Sequence, residues 1–504
     1  MSPDELDRPS SRALSLVAFG AGTGTLAVEI AASRLLAPYY GSSTVVWANL
    51  IGLVLLALAL GYWLGGKLAD RRPSGRLLGW IVLAAGAYVA LLPFVTRPIL
   101  DVAAKGLDEL SAGAVVGSFF ATLLLFAPPV FALGMVSPFA IRLALDTVSS
   151  AGEVAGRLYA LSTAGSLLGA FLPALVTIPL VGTQRTLIGA AVVLAASSAP
   201  LLGRRALVAA VAAGVLLAVP PGVVKPSEGR ILFERESRYQ FVQVVERSGV
   251  RRLYLNEGVA VHSVYRPWTV LTGDEWDAFL PMPAFLDRPP RTLAVLGNAG
   301  GTIARAYGRY WPDVDIDGVE IDPVVSEAGR RYLGLGDNPR LHVIDADARP
   351  FLRRTHKRYD LIFIDAYRQP YVPFYLATRE FFELVRSRLA PGGVVALNVA
   401  TVPGDTRLVD GIAGTAATVF PEVRIWPALT FNHFVVGLTR PVERLRPVPV
   451  LGDVLARQLS DPVAPASRPW TDDRAPVEWV TDRMILGYAA EGGRVDEQPL
   501  PTAP

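Results

Sequence analysis

The sequence predicts two architectures in series: an α-helical polytopic membrane domain over 14–224, then an α/β Rossmann-like domain over 291–440 with a small β element before it. Three observations predict this. Blocks of Leu, Ala, Val and Gly crowd the first half, most of them near the roughly 20 residues needed to cross a bilayer. The second half has ordinary globular composition, with short apolar runs set between helical patterns. One of those runs, 293–296, ends in a glycine-rich turn, and the next three end in acids.

The chain is 504 residues long, 51% hydrophobic and 18% charged, which is apolar for a soluble protein. Candidate spans lie near 14–33, 45–65, 77–96, 114–135, 158–181, 186–203 and 206–224, about seven in all. The first does not read as a secretory signal peptide, because no small-residue cleavage site precedes a polar mature start. Lys67, Arg71, Arg72 and Arg76 set the loop between the second and third spans in the cytoplasm, with Arg8, Arg12, Arg142, Arg157, Arg204 and Arg205 on the same side. Seven spans starting inside would strand the second half outside. Either one of the short, Ala-rich blocks 186–203 and 206–224 does not span, or the second half is external; the first is favoured, and the soluble domain is expected in the cytoplasm.

Within the first half, Gly65-Gly66-Lys67-Leu68-Ala69-Asp70-Arg71-Arg72 resembles the loop between the second and third helices of major facilitator transporters. A Gly-Gly helix end with basic anchors would look the same. Glu29 is a carboxylate in an apolar block, which makes it a functional candidate, with pairing to Arg34 as the alternative. Gly20, Gly22, Gly24, Gly165 and Gly169 suit close helix packing. The absence of cysteine excludes disulfides, zinc–thiolate sites and a cysteine nucleophile. A net charge of +3 and no aromatic–basic stripe give no case for nucleic acid.

Residues 220–229 break the apolar pattern, and 225–290 hold a linker and the small β element, whose alternation runs over 231–265. The α/β pattern then opens with Gly297-Asn298-Ala299-Gly300-Gly301-Thr302 after its first strand. A strand stopping at glycines lets backbone approach a ligand, and the following helix points free N–H groups at it. Glu320 ends the second strand about 20 residues on, where an acid can accept from both hydroxyls of a ribose. Strands over 341–344 and 359–364 deliver Asp347 and Asp365 to the same rim. Each acid taken singly reads as a helix N-cap or a solvated loop acid. Together with the glycine turn they read as a site. A helix over 378–389 and strands over 394–398 and 434–438 follow, then a Pro-rich region and tail over 441–504.

These residues carry a resemblance. The soluble half resembles spermidine synthases (polyamine aminopropyltransferases), in particular bacterial members fused to a membrane domain. Glu236-Ser237-Arg238-Tyr239-Gln240 is similar to their entry strand, Leu255-Asn256-Glu257-Gly258-Val259 to their hairpin, and 297–302 to their glycine loop. The resemblance extends to Leu389-Ala390-Pro391-Gly392-Gly393 and to Thr471-Asp472-Asp473-Arg474-Ala475-Pro476-Val477-Glu478. It implies the class I methyltransferase/spermidine synthase fold and a multi-pass cell-membrane protein. In the nucleoside site it gives roles to Gln240, Gly297, Gly300, Gly301, Glu320, Asp347 and Ala348, with Asp365 as the catalytic base. The implied co-substrate is decarboxylated S-adenosylmethionine or S-adenosylmethionine itself, with no metal. Expected partners are a putrescine-like amine, the lipid bilayer and a second copy in a homodimer.

Three departures stand out. Gly300 replaces an acid that anchors the donor's ammonium, Arg368 replaces a second aspartate, and Glu275-Trp276-Asp277 matches the lid motif only loosely. All three lie where a cationic amine would be bound. An S-adenosylmethionine-dependent methyltransferase, or a transporter or sensor with a nucleoside-binding domain, therefore stands beside the aminopropyltransferase reading.

Overall fold

The computed structural model describes residues 9–40, 44–107, 113–145, 151–219, 227–256, 260–367 and 371–490. By its contacts the chain divides into a helical unit, which takes in 234–241 and 256 as well as the first half, and an α/β unit. Each is described by itself.

Among the described residues of the helical unit, five helices are long and apolar enough to cross a membrane: Ser11–Ala37, Val46–Arg71, Gly75–Thr96, Val116–Ala144 and Ala151–Ser197. The last has 47 residues, about 70 Å if straight, against an apolar bilayer core of about 30 Å. It is not straight. Gly182 takes φ +85°, and Thr186 Oγ1 donates to Thr177 Oγ1 across 2.9 Å. Nine residues of unbroken helix would separate these positions by about 13 Å. The blocks 158–181 and 186–203 are thus two arms of one hairpin. The block 206–224 yields a helix of 12 residues, Arg204–Val215, short of a span, and 220–224 lie outside the described residues.

Small residues let the first and fifth helices meet backbone to backbone. A Cβ on Gly22 would lie 2.1 Å from the Ser162 carbonyl oxygen, and one on Gly165 would lie 2.1 Å from that of Phe19. Leu55, Leu56, Trp63, Phe171 and Leu175 are exposed, an apolar surface suited to lipid. Asp70 pairs with Arg142 Nε at 3.2 Å, tying the basic ends of two spans together. Within this unit Glu236 accepts from the Thr183 N–H at 3.1 Å, and the Arg238 carbonyl accepts from Arg34 at 2.6 Å.

Beyond the helices the chain carries two sheets, the second wholly within the α/β unit. The first has the order β1 (Arg230–Glu236), β2 (Phe241–Arg247), β3 (Val250–Leu255), β4 (Val261–Tyr265), with β2–β3 and β3–β4 antiparallel. Residues 257–259 of the hairpin motif lie outside the described residues. The second sheet comprises β5 (Thr292–Leu296), β6 (Asp315–Glu320), β7 (Leu341–Asp345), β8 (Tyr359–Ile364), β9 (Leu389–Ala400), β10 (Glu422–Trp426) and β11 (Asn432–Leu438). Its order is β10-β11-β9-β8-β5-β6-β7, parallel from β7 to β9, with β11 antiparallel to both of its neighbours.

The direction of winding reverses between β5 and β8, the crevice where open α/β sheets bind ligands. Both faces of β5 and β8 are buried, as parallel strands require. Leu293, Val295 and Phe363 pack with Phe279 and Tyr307 on one face, and Leu296, Ile362 and Ile364 with Phe381 and Phe382 on the other. The Pro-rich region is built into these cores as well. It forms helices Gly452–Gln458 and Val477–Ala490, and Val477 and Met484 are buried beside Phe382.

Candidate functional site

The glycine turn is shaped by positive φ at Gly297 (+89°), Ala299 (+45°) and Gly301 (+85°). Gly297 and Asn298 both donate their N–H groups to the Val319 carbonyl, at 2.9 and 3.0 Å, which folds the turn back over β6. Across the crevice the Asp365 N–H donates to the Leu296 carbonyl at 2.8 Å. A Cβ on Gly297 would sit 2.5 Å from the Asp365 carbonyl oxygen, so only glycine allows the ends of β5 and β8 to lie this close. Gly300 donates to Ser263 Oγ at 2.8 Å. A Cβ there would meet Leu333 at 2.5 Å and Ser263 at 2.9 Å. That place is filled, so an acidic side chain could not occupy it without moving both neighbours.

Glu320 ends β6 and is 7% exposed. Its Oε2 accepts from Ala299 N–H and its Oε1 from Asp322 N–H, both at 3.0 Å. Burial outweighs these bonds and holds the carboxyl up at about 7. Each oxygen keeps a lone pair for a further donor, and the Glu320–Ala299 bond ties the acid directly to the glycine turn. Asp347 caps the helix Ala348–Arg354, its Oδ1 accepting from Arg349 N–H at 2.9 Å. It is a cap and a rim acid at once.

Asp365 follows the fully buried β8. Asn398 Nδ2, from neighbouring β9, donates to its Oδ1 at 3.0 Å, and Asn432 Nδ2, from β11, donates to Asn398 Oδ1 at 3.0 Å. Burial raises that carboxyl to about 6 against the pull of Asn398 and Trp276, which favour the charged form. Tyr367 Oη donates to the Asn398 carbonyl at 2.8 Å and accepts from Ala400 N–H at 2.9 Å, fixing the chain just past Asp365.

The α/β unit therefore brings Gly297, Gly300, Gly301, Glu320, Asp347, Ala348 and Asp365 to the carboxyl ends of β5 to β8. Gln240 is elsewhere in the division: it closes the turn before β2, its carbonyl accepting from Ser237 N–H at 2.9 Å, and it groups with the helical unit. Arg368 lies outside the described residues. Sequence reasoning missed Asn398 as the partner of Asp365, and Asn432 and Tyr367 as the residues that hold Asn398. The signal for Asn398 was a polar residue ending an apolar strand. The Asn298 amide is buried beneath the turn with neither of its polar atoms paired.

The strand order, the glycine turn at the winding reversal and the acids on one rim define a Rossmann-like domain of the class I methyltransferase kind. Residues 278–430 match the spermine/spermidine synthase domain. The chain is 35% identical over 195 residues to a probable polyamine aminopropyl transferase of Bifidobacterium longum, covering 38% of this chain and 43% of that one. It is 30% identical over 210 residues to a polyamine aminopropyltransferase of Vibrio vulnificus, covering 39% of this chain and 67% of the relative. A solved structure of a probable spermidine synthase from Corynebacterium glutamicum aligns with a TM-score of 0.39 at 19% identity, over 55% of this chain and all of that one. The chain belongs to the spermine/spermidine synthase family, whose relatives here are named as transferases.

Proposed function

We propose that the protein is a membrane-bound aminopropyltransferase acting on an S-adenosyl-type nucleoside, with its α/β unit on the cytoplasmic side. Glu320 takes the ribose hydroxyls, Asp347 and Ala348 the adenine side, and the turn from Gly297 to Gly301 the backbone approach to the donor. The donor is decarboxylated S-adenosylmethionine. An amine nitrogen attacks the methylene beside the sulfonium, a C–N bond forms, and the C–S bond breaks with its electron pair passing to sulfur. Methylthioadenosine leaves, and Asp365 takes the ammonium proton. The sulfonium is already an activated leaving group, so the chain's work is positioning and one proton transfer.

The observation that carries this reading is the Asp365 carboxyl, held at about 6 by burial, hydrogen-bonded by Asn398 and set against the glycine turn. A base with that pKa is largely ionised at neutral pH yet still basic enough to accept a proton. Calorimetry with decarboxylated S-adenosylmethionine, S-adenosylmethionine and methylthioadenosine in parallel, followed by turnover with putrescine and spermidine, tests it. Binding of methylthioadenosine with transfer to an amine is expected. Binding of none of the three nucleosides would end the reading.

A second reading rests on Gly300. Leu333 and Ser263 fill the place where a carboxylate would meet an ammonium on the donor. Tighter binding of S-adenosylmethionine than of its decarboxylated form would favour a methyltransferase on the same rim. Binding without turnover of any acceptor would favour a sensor or a transporter domain.

A further inference from the structure

We infer that Asp472 is a positioning residue that joins the two rim segments on either side of the nucleoside site; the inference rests on the reading of Asp347, Ala348 and Asp365 given above. Thr471 and Arg474 close a tight turn through a carbonyl–amide pair at 2.9 and 3.1 Å, and Asp472 sits within it. Its carboxylate meets the Arg349 guanidinium as a fork, Oδ1 to Nη1 at 2.8 Å and Oδ2 to Nη2 at 2.6 Å. Arg349 is the residue whose backbone N–H Asp347 caps. One arginine is therefore gripped by Asp347 through its main chain and by Asp472 through its side chain.

The same carboxylate accepts from Thr378 Oγ1 at 2.7 Å, and the Asp472 N–H donates to Glu380 at 3.1 Å. Thr378 caps the helix Arg379–Arg388 and ends the stretch that leads away from Asp365. Arg349 Nη1 reaches into that stretch too, donating to the Tyr375 carbonyl at 3.1 Å, and Tyr371 Oη donates to Asp482 on the last helix. The C-terminal turn and helix are anchored in the core at Val477 and by Trp470, whose backbone carbonyl accepts from Arg379 N–H at 2.8 Å. A strap rooted in the core thus fixes the start of the Ala348–Arg354 helix to the segment following Asp365. Bidentate Arg–carboxylate geometry specifies direction as well as proximity, which a general packing contact does not.

The test uses the full chain in detergent and measures methylthioadenosine affinity and thermal midpoint for the parent, D472A, R349A, the double variant and V477A. Val477 is buried in the same strap away from the fork, so V477A reports loss of packing alone. D472A and R349A are each expected to weaken the nucleoside about tenfold, and the double variant no more than either, because the pair acts as a unit. V477A is expected to lower the midpoint with affinity unchanged. If D472A fails to fold, D472N, which keeps the side chain's shape, carries the comparison. Parent-like affinity in D472A or D472N, with the midpoint lowered as in V477A, overturns the positioning role and leaves the nucleoside site standing. No binding by the parent overturns both.

Discussion

Asn398 donates to Asp365 from the adjacent strand, and its own amide is oriented by Asn432, each bond 3.0 Å long. Because Asn432 donates to Asn398 Oδ1, the Asn398 NH2 is the group left for Asp365, and the pair stabilises the ionised carboxyl. Removing that donor should raise the Asp365 pKa further above about 6. In N398A the acid limb of the rate profile should move to higher pH, with loss of rate at pH 7 and recovery at more alkaline pH. A profile of kcat/KM against pH checks this. An unmoved limb would detach Asn398 from the chemistry.

Nucleoside binding should depend on pH through Glu320. Its carboxyl is held at about 7 by burial, and ribose hydroxyls donate to the ionised form. Affinity for methylthioadenosine should therefore rise as pH increases through 7 and level off above it, with a proton released on binding below 7. E320Q should lose the pH dependence and bind roughly ten- to a hundredfold more weakly, as expected for the loss of charge-assisted hydrogen bonds worth about 1.5–3 kcal/mol. Calorimetry in buffers of different ionisation enthalpy reads both quantities. A pH-independent parent would remove Glu320 from the ribose.

Glu320 and Asp365 were legible because each ends an apolar run, and Gly297 because glycine stops a strand. The Asn398–Asn432 pair was not, since it depends on β11 lying antiparallel to β9 with Phe434 opposite Asn398, a register that no local pattern carries. Strand β10 was missed because Glu422 and Arg424 interrupt it; they pair with each other. The break between the blocks 158–181 and 186–203 was legible from their spacing, and Gly182, with its positive φ, falls within it. Proline content gave 441–490 no legible elements, although Val477 and Met484 belong to the core.

The α/β unit should lie in the cytoplasm. If the five apolar helices among the described residues cross a membrane, the hairpin at Gly182 gives them six crossings, and Arg204–Val215, at 12 residues, is short for a seventh. With the Lys67–Arg72 loop inside, six crossings return the chain to that side. A cytoplasmic reporter fused after residue 440 should be active. Activity of a periplasm-dependent reporter there would mean that the segment after Arg204 also crosses, and it would remove the enzymatic reading along with the intracellular donor.

The central claim is that Asp365 moves a proton and does not hold the nucleoside. Asp365→Asn keeps the shape and a hydrogen-bonding group and removes the basic oxygen. Aminopropyl transfer to putrescine or spermidine and methylthioadenosine affinity are to be measured on one preparation of parent and variant. The account predicts a rate lower by about 10²–10⁴-fold with affinity within about threefold of the parent. Full transfer by the variant, or a loss of affinity that matches the loss of rate, would contradict it.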